Sequence, residues 1–456
     1  MKPESRQISD KEIEALCSWA LDEAVSAGAS GADALYSEGT GARLSLKDGE
    51  VEESVGGFTS GLGVRTIMPD GRQGIASGNR LDKQSVRALV EWSIHNCKNS
   101  EPEEDVTLYT GRLVEDPAVA LIDPRIAAIT PKERLELCQE MTVLAKSADS
   151  RIISVRSAAW HDGFGSSFYC TTTGLAGWEH GSGASCSVSV LAREGDYTEM
   201  GGWGMESLRF QELDVRKTAG LAVSKTVAAL GAKPIPSGVM TLVIDPDTAA
   251  SLVDIIAELF CAPEIHKGRS LMKDMLGETV ASSCVTLTDD GRLPWRPGSG
   301  SWDAEGVPTG RTVLIDKGVA SAYLYNLQYA ARDGVKSTGN ACRGMSSLPD
   351  VGTTNITLLP GGATQEQLCA SVGRGLFITE LMGLHTIDAV SGDFSIGARG
   401  LLIENGGFTS PVSGVTIASN LMEFIKKISA VGSDLQYFGT VGAPTMVVEN
   451  VVVAGE

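Results

Sequence analysis

One short segment near the middle of the chain separates two stretches with different patterns. Residues 231–238 contain two glycines and two prolines, and both residue types interrupt helices and strands. The apolar run Val239–Ile244 that follows is typical of a buried strand. A chain of 456 residues has room for two or three domains. We therefore predict an N-terminal domain over residues 1–232 and a C-terminal domain over residues 233–456.

The first half alternates helical and strand-like patterns without a regular repeat. Apolar residues recur at helical spacing over residues 10–27, and Pro131 suits the first turn of another helix over residues 131–148. Between residues 152 and 204, stretches of alternating residues have the period of two that strands require. Unevenly spaced helices and strands favour an α+β fold with mixed or antiparallel sheets and flanking helices.

The second half combines short strand patterns with glycine-rich turns, which predicts a strand-rich C-terminal domain. Helices are predicted over residues 247–260, near residues 319–331 and near residues 415–428. Residues 445–454 are apolar and alternating, so we expect the chain to end in a strand.

The composition disfavours several classes of protein. The formal net charge is −19, and so acidic a surface repels nucleic-acid phosphates, so we expect no nucleic-acid partner. Nine cysteines without a Cys-x-x-Cys pair favour a reducing cytoplasm over a disulfide framework. The polar first residues predict no secretory signal. No stretch reaches the roughly 18 apolar residues of a membrane span, so no membrane partner is expected.

A series of short motifs crosses the second half in a fixed order. Glycine, aspartate and asparagine are frequent in them, and these residues accept turn conformations that others avoid. The motifs are Pro234–Ile244, Gly268–Ser270, Gly277-Glu278, Asp289–Gly291, Asp303–Gly306, Thr312–Ile315, Ser337–Ala341, Gly375–Thr379, Gly392–Ser395, Ile403–Gly406 and Val431–Leu435. With this order of motifs, the second half resembles the TldD/PmbA family of peptidases, first described as modulators of DNA gyrase.

The resemblance implies a metal site in one branch of the family. TldD-like members resemble zinc peptidases, in which a His-Glu-x-x-x-His helix and a cysteine near the C-terminus supply ligands and a base. Counted back from Gly277 without gaps, the histidine positions fall on Val253 and Glu258, and the glutamate position falls on Asp254. The last cysteine of the chain is Cys369. All three expected ligands are replaced, which matches the PmbA/TldE branch.

Two other arrangements of metal-binding side chains are open. Cys261, Glu264 and His266 follow the predicted helix and would provide three ligands of a substitute metal site. Asp254 and Glu258 lie one helical turn apart, so their carboxylates could hold a weakly bound cation.

Some polar residues of the motifs are candidates for loop positions or for contacts in a peptide groove. These residues are Asp289, Asp290, Asn340 and Asp393. Their glycine neighbours first predict turns, and in a relative of a peptidase such loops would also line a groove. His161 and His180 have no companion motif, and we predict no ligand role for them.

The family resemblance implies a catalytically silent, PmbA/TldE-like subunit that pairs with a TldD-like metallopeptidase. No cofactor is expected in this chain, and zinc is expected in the partner. The implied substrates are peptides or unfolded proteins, as in peptide maturation and antitoxin turnover. A homodimer would form when the partner is absent. The alternatives are a self-sufficient metallopeptidase with a non-standard metal site and a regulator linked indirectly to DNA gyrase.

Overall fold

The first half of the chain is built on one antiparallel sheet with flanking helices. A computed structural model describes residues 8–456. The strands are β1 (Gly31–Lys47), β2 (Glu50–Ile67), β3 (Gln73–Gly78), β4 (Ile152–Thr171), β5 (Ala176–Glu194) and β6 (Tyr197–Ser207), in the order β3-β2-β1-β4-β5-β6. The helices are α1 (Asp10–Ser26), α2 (Lys83–Asn99), α3 (Pro124–Ala127), α4 (Pro131–Ala148) and α5 (Val215–Ala228), with a 3-10 turn at Phe210–Glu212.

The two faces of this sheet have different surroundings. Helices α1 and α2 cover one end of one face, and α4 and α5 cover its other end, each with a separate apolar cluster. Beyond Gly177 and Glu179, which pack against Trp302 and Ser301, the opposite face carries the odd-numbered residues of β5 from Gly181 to Ser189, together with their neighbours in register on β4 and β1. We call it the open face. These residues are mostly glycine and serine, so the open face contributes little to an apolar core.

The second half contains two six-stranded sheets and a small two-stranded one. The first sheet has the order β10-β9-β8-β13-β19-β18, with β8 (Leu287–Asp290), β9 (Arg311–Asp316), β10 (Val319–Ala320), β13 (Ile356–Leu358), β18 (Gln436–Phe438) and β19 (Val441–Ala443). The second has the order β16-β15-β14-β7-β20-β17, with β7 (Gly238–Ile244), β14 (Arg374–Met382), β15 (Asp393–Glu404), β16 (Gly407–Asn420), β17 (Ile428–Val431) and β20 (Met446–Ala454). Strand β16 also pairs with β20, so this sheet closes on itself. The remaining pair is β11 (Ala341–Cys342) with β12 (Asp350–Val351).

One buried helix connects the two large sheets of the second half. The helices here are α6 (Pro246–Glu258), α7 (Ala262–His266), α8 (Leu327–Arg332), α9 (Gln365–Ala370) and α10 (Leu421–Lys426), with a 3-10 turn at Leu384–Thr386. Helix α6 packs against β13, β18 and β19 of one sheet and against β14 of the other. Asp245 caps its start by accepting a hydrogen bond from Thr248 N at 2.9 Å. Most of its residues are buried, as expected for a helix in a core.

The structure confirms the predicted α+β class and the strand-rich second half. The helix predicted over residues 131–148 has the bounds of α4, and the final strand β20 covers most of residues 445–454. The predicted boundary at residues 232 and 233 lies between α5 and β7, and the division into two domains stays a prediction. Within residues 8–456, no helix has both the length and the apolar character needed to cross a bilayer.

Two predicted helices are wrong over most of their length. Near residues 319–331, only α8 is helical, because the preceding segment is extended and buries Leu324, whose N–H bonds to Phe260 O at 2.9 Å. Near residues 415–428, the first six residues belong to β16 and only α10 is helical. The β-branched residues Val415 and Ile417 are buried there as the strand pairs with β15, so sheet pairing overrides the helical spacing.

A buried ion cluster joins the second half to the first. Arg343, which follows β11, places Nη2 2.6 Å from Asp33 Oδ1 on β1. Arg65 on β2 donates to the other oxygen of Asp33 at 3.0 Å and to Gln73 Oε1 at 2.9 Å. The side chain of Arg343 is 1% exposed, so the ion pair lies away from water. Removing one member of such a pair leaves an uncompensated buried charge, which costs about 3–5 kcal/mol.

The segment after Arg343 also presses its main chain against β2. A Cβ atom at Gly63 would overlap the carbonyl oxygen of Met345. Gly63→Ala should therefore lower the free energy of unfolding by roughly 1–3 kcal/mol, because backbone has to move to make room. Urea denaturation followed by tryptophan fluorescence measures this loss.

Gly57→Ala is the matched control for Gly63→Ala. Gly57 lies on the same strand, and a Cβ atom there has no neighbour within 4 Å. Its urea midpoint should stay within the small range of surface substitutions. Equal midpoints for the two variants would show that the segment after Arg343 does not pack on β2 as described.

Candidate functional site

The positions of the expected metal motif lie on α6. Val253 is 2% exposed and packs in the apolar core of the second half. Asp254 and Glu258 lie one turn apart toward the surface, as the spacing predicts. Partial burial raises the pKa of Asp254, and burial together with the Asp254 charge raises the pKa of Glu258. The helix thus retains two carboxylates but has a valine where an imidazole is expected.

The segment in which the third ligand is expected lies beside this helix. Thr440 O accepts a hydrogen bond from Ile356 N at 2.9 Å, and β19 begins at the next residue and packs on α6. Gly439 precedes it and has no side chain to offer. A Cβ atom at Gly439 would lie 2.8 Å from Glu206 Oε1 of β6, so the first half also reaches this place. The segment in which the family resemblance places the third ligand therefore lies next to α6.

The residues around α6 do not fit a zinc ion. Structural and catalytic zinc sites use at least three ligands, mostly histidine nitrogen and cysteine sulfur. Within residues 8–456, no group of three or more His, Cys, Asp or Glu side chains is arranged to hold a metal ion. Asp254 and Glu258 alone supply two carboxylates, which is below the three protein ligands of a zinc site, and a weakly bound cation at this pair stays a prediction.

The substitute site predicted from Cys261, Glu264 and His266 is not assembled. Glu264 pairs with Lys267 at 3.2 Å and with Arg269 at 3.2 Å. The ring of His266 faces away to Asp333, with 2.9 Å from Nε2 to Oδ1. Burial raises the pKa of Cys261 to about 12, which disfavours the thiolate that binds metals.

Two of the four predicted loop residues meet in a buried network. Asp289 accepts hydrogen bonds from Asn340 Nδ2 at 2.6 Å and from Thr354 N at 2.7 Å. Asp289 and Asn340 are 1% and 3% exposed. Burial raises the pKa of Asp289 to about 6, against the lowering effect of these hydrogen bonds. The network holds β8 to the segments on either side of the β11–β12 pair.

The other two predicted loop residues lie apart from this network and from each other. Asp290 accepts from Arg292 N at 2.9 Å within the turn after β8. Asp393 begins β15, and its Oδ1 accepts from Asn420 Nδ2 at 2.9 Å. The contact of Asp290 shapes a turn, whereas that of Asp393 joins the paired ends of β15 and β16, and the role of both residues in a peptide groove stays a prediction.

Two buried carboxyl groups, those of Asp303 and Glu305, fix the loop at residues 303–306. Asp303 Oδ1 accepts from Glu305 N at 2.9 Å, and its Oδ2 accepts from Ala341 N at 2.9 Å. Glu305 Oε2 accepts from Leu327 N at 2.8 Å, at the start of α8. Burial raises the pKa of Asp303 to about 6 and that of Glu305 to about 7. The positive charge of Arg65 lowers the pKa of Glu305 and so partly offsets the effect of burial.

The first half contacts the start of α6 through residues that sequence patterns do not single out. Lys225 Nζ lies 3.0 Å from Asp245 Oδ2, 3.4 Å from Asp247 Oδ2 and 4.3 Å above the Trp203 ring. Trp203 meets Phe438 edge-on, with 5.7 Å between the ring centres. A cavity of about 420 Å³ lies beside Trp203 and Asp247. Helix α6 is thus bounded by both halves of the chain.

Family models match most of the chain in three consecutive segments. The PmbA/TldA metallopeptidase domain 1 matches residues 32–97, the central domain matches residues 124–230, and the C-terminal domain matches residues 237–455. The chain belongs to the PmbA/TldD family. Its members are metalloprotease-like. The domain 1 model covers β1 to β3 and most of α2, the central model covers α3 to α5 with β4 to β6, and the C-terminal model covers the second half, so the N-terminal sheet is shared by the first two models.

Relatives named PmbA and relatives named TldD both resemble the chain over most of its length. Metalloprotease PmbA of Escherichia coli O157:H7 is 26% identical over 98% of this chain and 97% of its own length. A metalloprotease TldD homologue of Haemophilus influenzae is 28% identical over 85% of this chain and 82% of its own length.

Solved structures share the fold. A Bacteroides thetaiotaomicron protein proposed as a modulator of DNA gyrase has a TM-score of 0.88 and 26% identity, with 99% of this chain and 100% of that chain covered. TldE of Thermococcus kodakarensis has a TM-score of 0.87 at 23% identity, with 97% of this chain and 100% of that chain covered.

The buried carboxyl of Glu305 predicts a measurable pH dependence. Its pKa rises from 4.5 to about 7 on folding, so its favourable contribution is complete below about pH 4.5 and is lost as the pH rises through about 7. Glu305→Gln keeps an acceptor for Leu327 N–H and removes the titration. The stability of the variant relative to wild type should rise by up to roughly 3 kcal/mol between about pH 5 and about pH 8.

Denaturant unfolding across this pH range measures the difference. Glu91→Gln, at an exposed position of α2, is the control for the loss of one carboxyl group. If the difference between Glu305→Gln and wild type does not change with pH, the carboxyl of Glu305 does not titrate in this range on folding.

Proposed function

We propose that this chain is the non-catalytic subunit of a TldD/TldE-type metallopeptidase that acts on peptides or unfolded proteins. The proposal is supported by one observation: each position at which the family resemblance places a metal ligand carries another residue. Val253 and Glu258 take the imidazole positions, and Gly439–Val441 beside α6 contains no cysteine. A zinc peptidase needs such ligands to hold the metal and activate water, so the catalytic zinc belongs to a TldD-like partner.

The packing of α6 supports a structural role. Val253 takes part in a close-packed core, where an imidazole would need a polar partner. The helix is also held from outside by Asp245 and Lys225, independently of any metal. A subunit with this helix keeps the surface of the family fold while its chemistry is supplied by the partner.

The open face of the N-terminal sheet supports a role in handling extended peptides. Its glycine and serine side chains offer little apolar surface, which suits a wall along which an unfolded chain passes. With a TldD-like subunit opposite, this face would enclose part of a chamber. A cytoplasmic location belongs to the same proposal, since scattered cysteines favour a reducing compartment.

The direct test is a peptidase assay with this chain, the TldD-like subunit of the same organism, and both together. A fluorescence-quenched unstructured peptide is the substrate. We expect cleavage by the mixture and none by this chain alone. Replacing the glutamate of the partner's motif by glutamine should slow cleavage by at least about 10²-fold, because the general base is lost.

Matched changes in this chain serve as controls. Asp254→Asn with Glu258→Gln alters the corresponding helix here and should leave the cleavage rate of the mixture unchanged. Cleavage by this chain alone that is abolished by Cys261→Ala or His266→Ala would instead establish a self-sufficient metallopeptidase and refute the subunit role.

A further inference from the structure

A cavity of about 480 Å³ lies over the middle of the open face. Strands β4 and β5 form its floor, and Leu121, Leu208, Pro297 and Ser299 line its other side. Leu121 lies beside β5, where its carbonyl oxygen accepts a hydrogen bond from Ser182 N at 2.8 Å. The volume lies within the range of ligand sites in proteins, about 300–1,000 Å³.

Glycines in register give the cavity a floor without side chains. Gly41, Gly163 and Gly183 form one row across three strands, and Gly39, Gly165 and Gly181 form the next row on the same face. Glycine inside strands is unfavourable unless another backbone or a ligand approaches closely. The floor therefore lies one side chain deeper than the rest of the open face, and we call it the glycine trough.

Polar side chains line one rim of the glycine trough. His161, Ser185 and Glu206 occupy one row in register across β4, β5 and β6, and all three line the cavity. His161 and Glu206 are exposed, and within the described part of the chain no ion pair joins either to an opposite charge. Glu206 ends the row beside Gly439, next to α6. The rim thus carries a negative charge at the end nearest the candidate site.

The dimensions and the charge fit one kind of occupant. From the glycines of β1 to Glu206 on β6 the distance is three strand spacings, roughly 14 Å, which an extended chain covers with about four residues. A floor without side chains lets a peptide main chain lie directly on the sheet. The carboxylate of Glu206 favours a lysine or arginine over an acidic side chain at that end.

We propose that the glycine trough binds an extended peptide segment, with its main chain across the glycine rows and a basic side chain at Glu206. The inference rests on the proposed function, since it assigns this subunit a substrate-binding site of its own. A peptide held there would run toward Gly439 and α6. The chain would then select and orient substrate for the partner subunit.

A substitution that fills the trough tests the site. A Cβ atom at Gly181 has only Leu121 O nearby, at 3.9 Å, so Gly181→Val fits the strand and occupies the floor. The probe is a fluorescein-labelled octapeptide of glycine and serine with a central lysine, measured by fluorescence anisotropy. Gly181→Val should weaken its binding at least about tenfold relative to the wild-type chain.

Gly57→Val is the matched control for filling the trough. Gly57 is in register with Gly41 on the same row, a Cβ atom there would have no neighbour within 4 Å, and the residue does not line the cavity. Its affinity for the octapeptide should equal that of wild type. If circular dichroism shows that Gly181→Val does not fold, Gly183→Ala replaces it. A Cβ atom at Gly183 would lie 3.4 Å from Leu208 Cδ2, which is a contact without overlap.

The charge is tested separately. Glu206→Gln should weaken binding of the lysine peptide by about two- to fivefold, which is the range of an exposed ion pair. It should not weaken binding of a peptide that has glutamate in place of lysine. Glu52→Gln, on the exposed part of β2, is the control. Equal loss for both peptides would overturn the role of Glu206.

The outcomes separate this inference from the proposed function. Co-purification of Gly181→Val with the TldD-like subunit measures pairing alone and should match wild type. Absence of octapeptide binding to the wild-type chain, or wild-type affinity in the trough-filling variant, overturns the trough as a site. Failure of the wild-type chain to co-purify with the TldD-like subunit overturns the subunit role instead.

Discussion

The structure depends on the burial of α6 between the two large sheets of the second half. Apolar side chains of this helix contact both sheets, and Val253 lies among them. In a catalytic relative the same position would carry a metal ligand, and part of the helix would be held by the ion. Here the helix is held by packing and by its Asp245 cap. Under the proposed function, these contacts take the place of the ion and keep the surface of the family fold.

Contacts at two places attach the N-terminal sheet to the second half and to α6. The buried pair of Arg343 and Asp33 fixes one end of the sheet, and Lys225 with Trp203 meets the start of α6 at the other. Between these two places, the open face is left with glycine, serine and a polar rim. Attachment at both ends keeps this face at a constant position relative to α6, and under the proposed function this position guides a peptide toward the catalytic centre of the partner.

Much of this architecture could be predicted from the sequence because its signals are local. The helix over residues 131–148 has a proline at its first turn, and the ordered motifs of the second half carry the family resemblance. Two helices were predicted where β-branched or aromatic residues instead pair and pack, since periodicity over a short apolar run does not separate helix from strand. That Val253 and Glu258 are not histidines can be read from the sequence, but their assignment to the metal motif rests on the family resemblance and stays a prediction.

The contacts that join distant parts of the chain could not be predicted in this way. Arg343 and Asp33 are far apart in sequence, and nothing in their local surroundings marks them as partners. The glycine trough has a signal, the alternating glycines at 163 and 165 and at 181 and 183, but its meaning depends on strand register. His161 and Glu206 become neighbours of Ser185 only when β4, β5 and β6 pair.

The central claim is that this chain contributes structure and substrate contacts but no metal to a paired peptidase. Native mass spectrometry of the chain alone and of its complex with the TldD-like subunit counts zinc directly. We expect no zinc on this chain alone and one zinc per pair, carried by the partner. One zinc bound per copy of this chain, retained when the partner is absent, would contradict it.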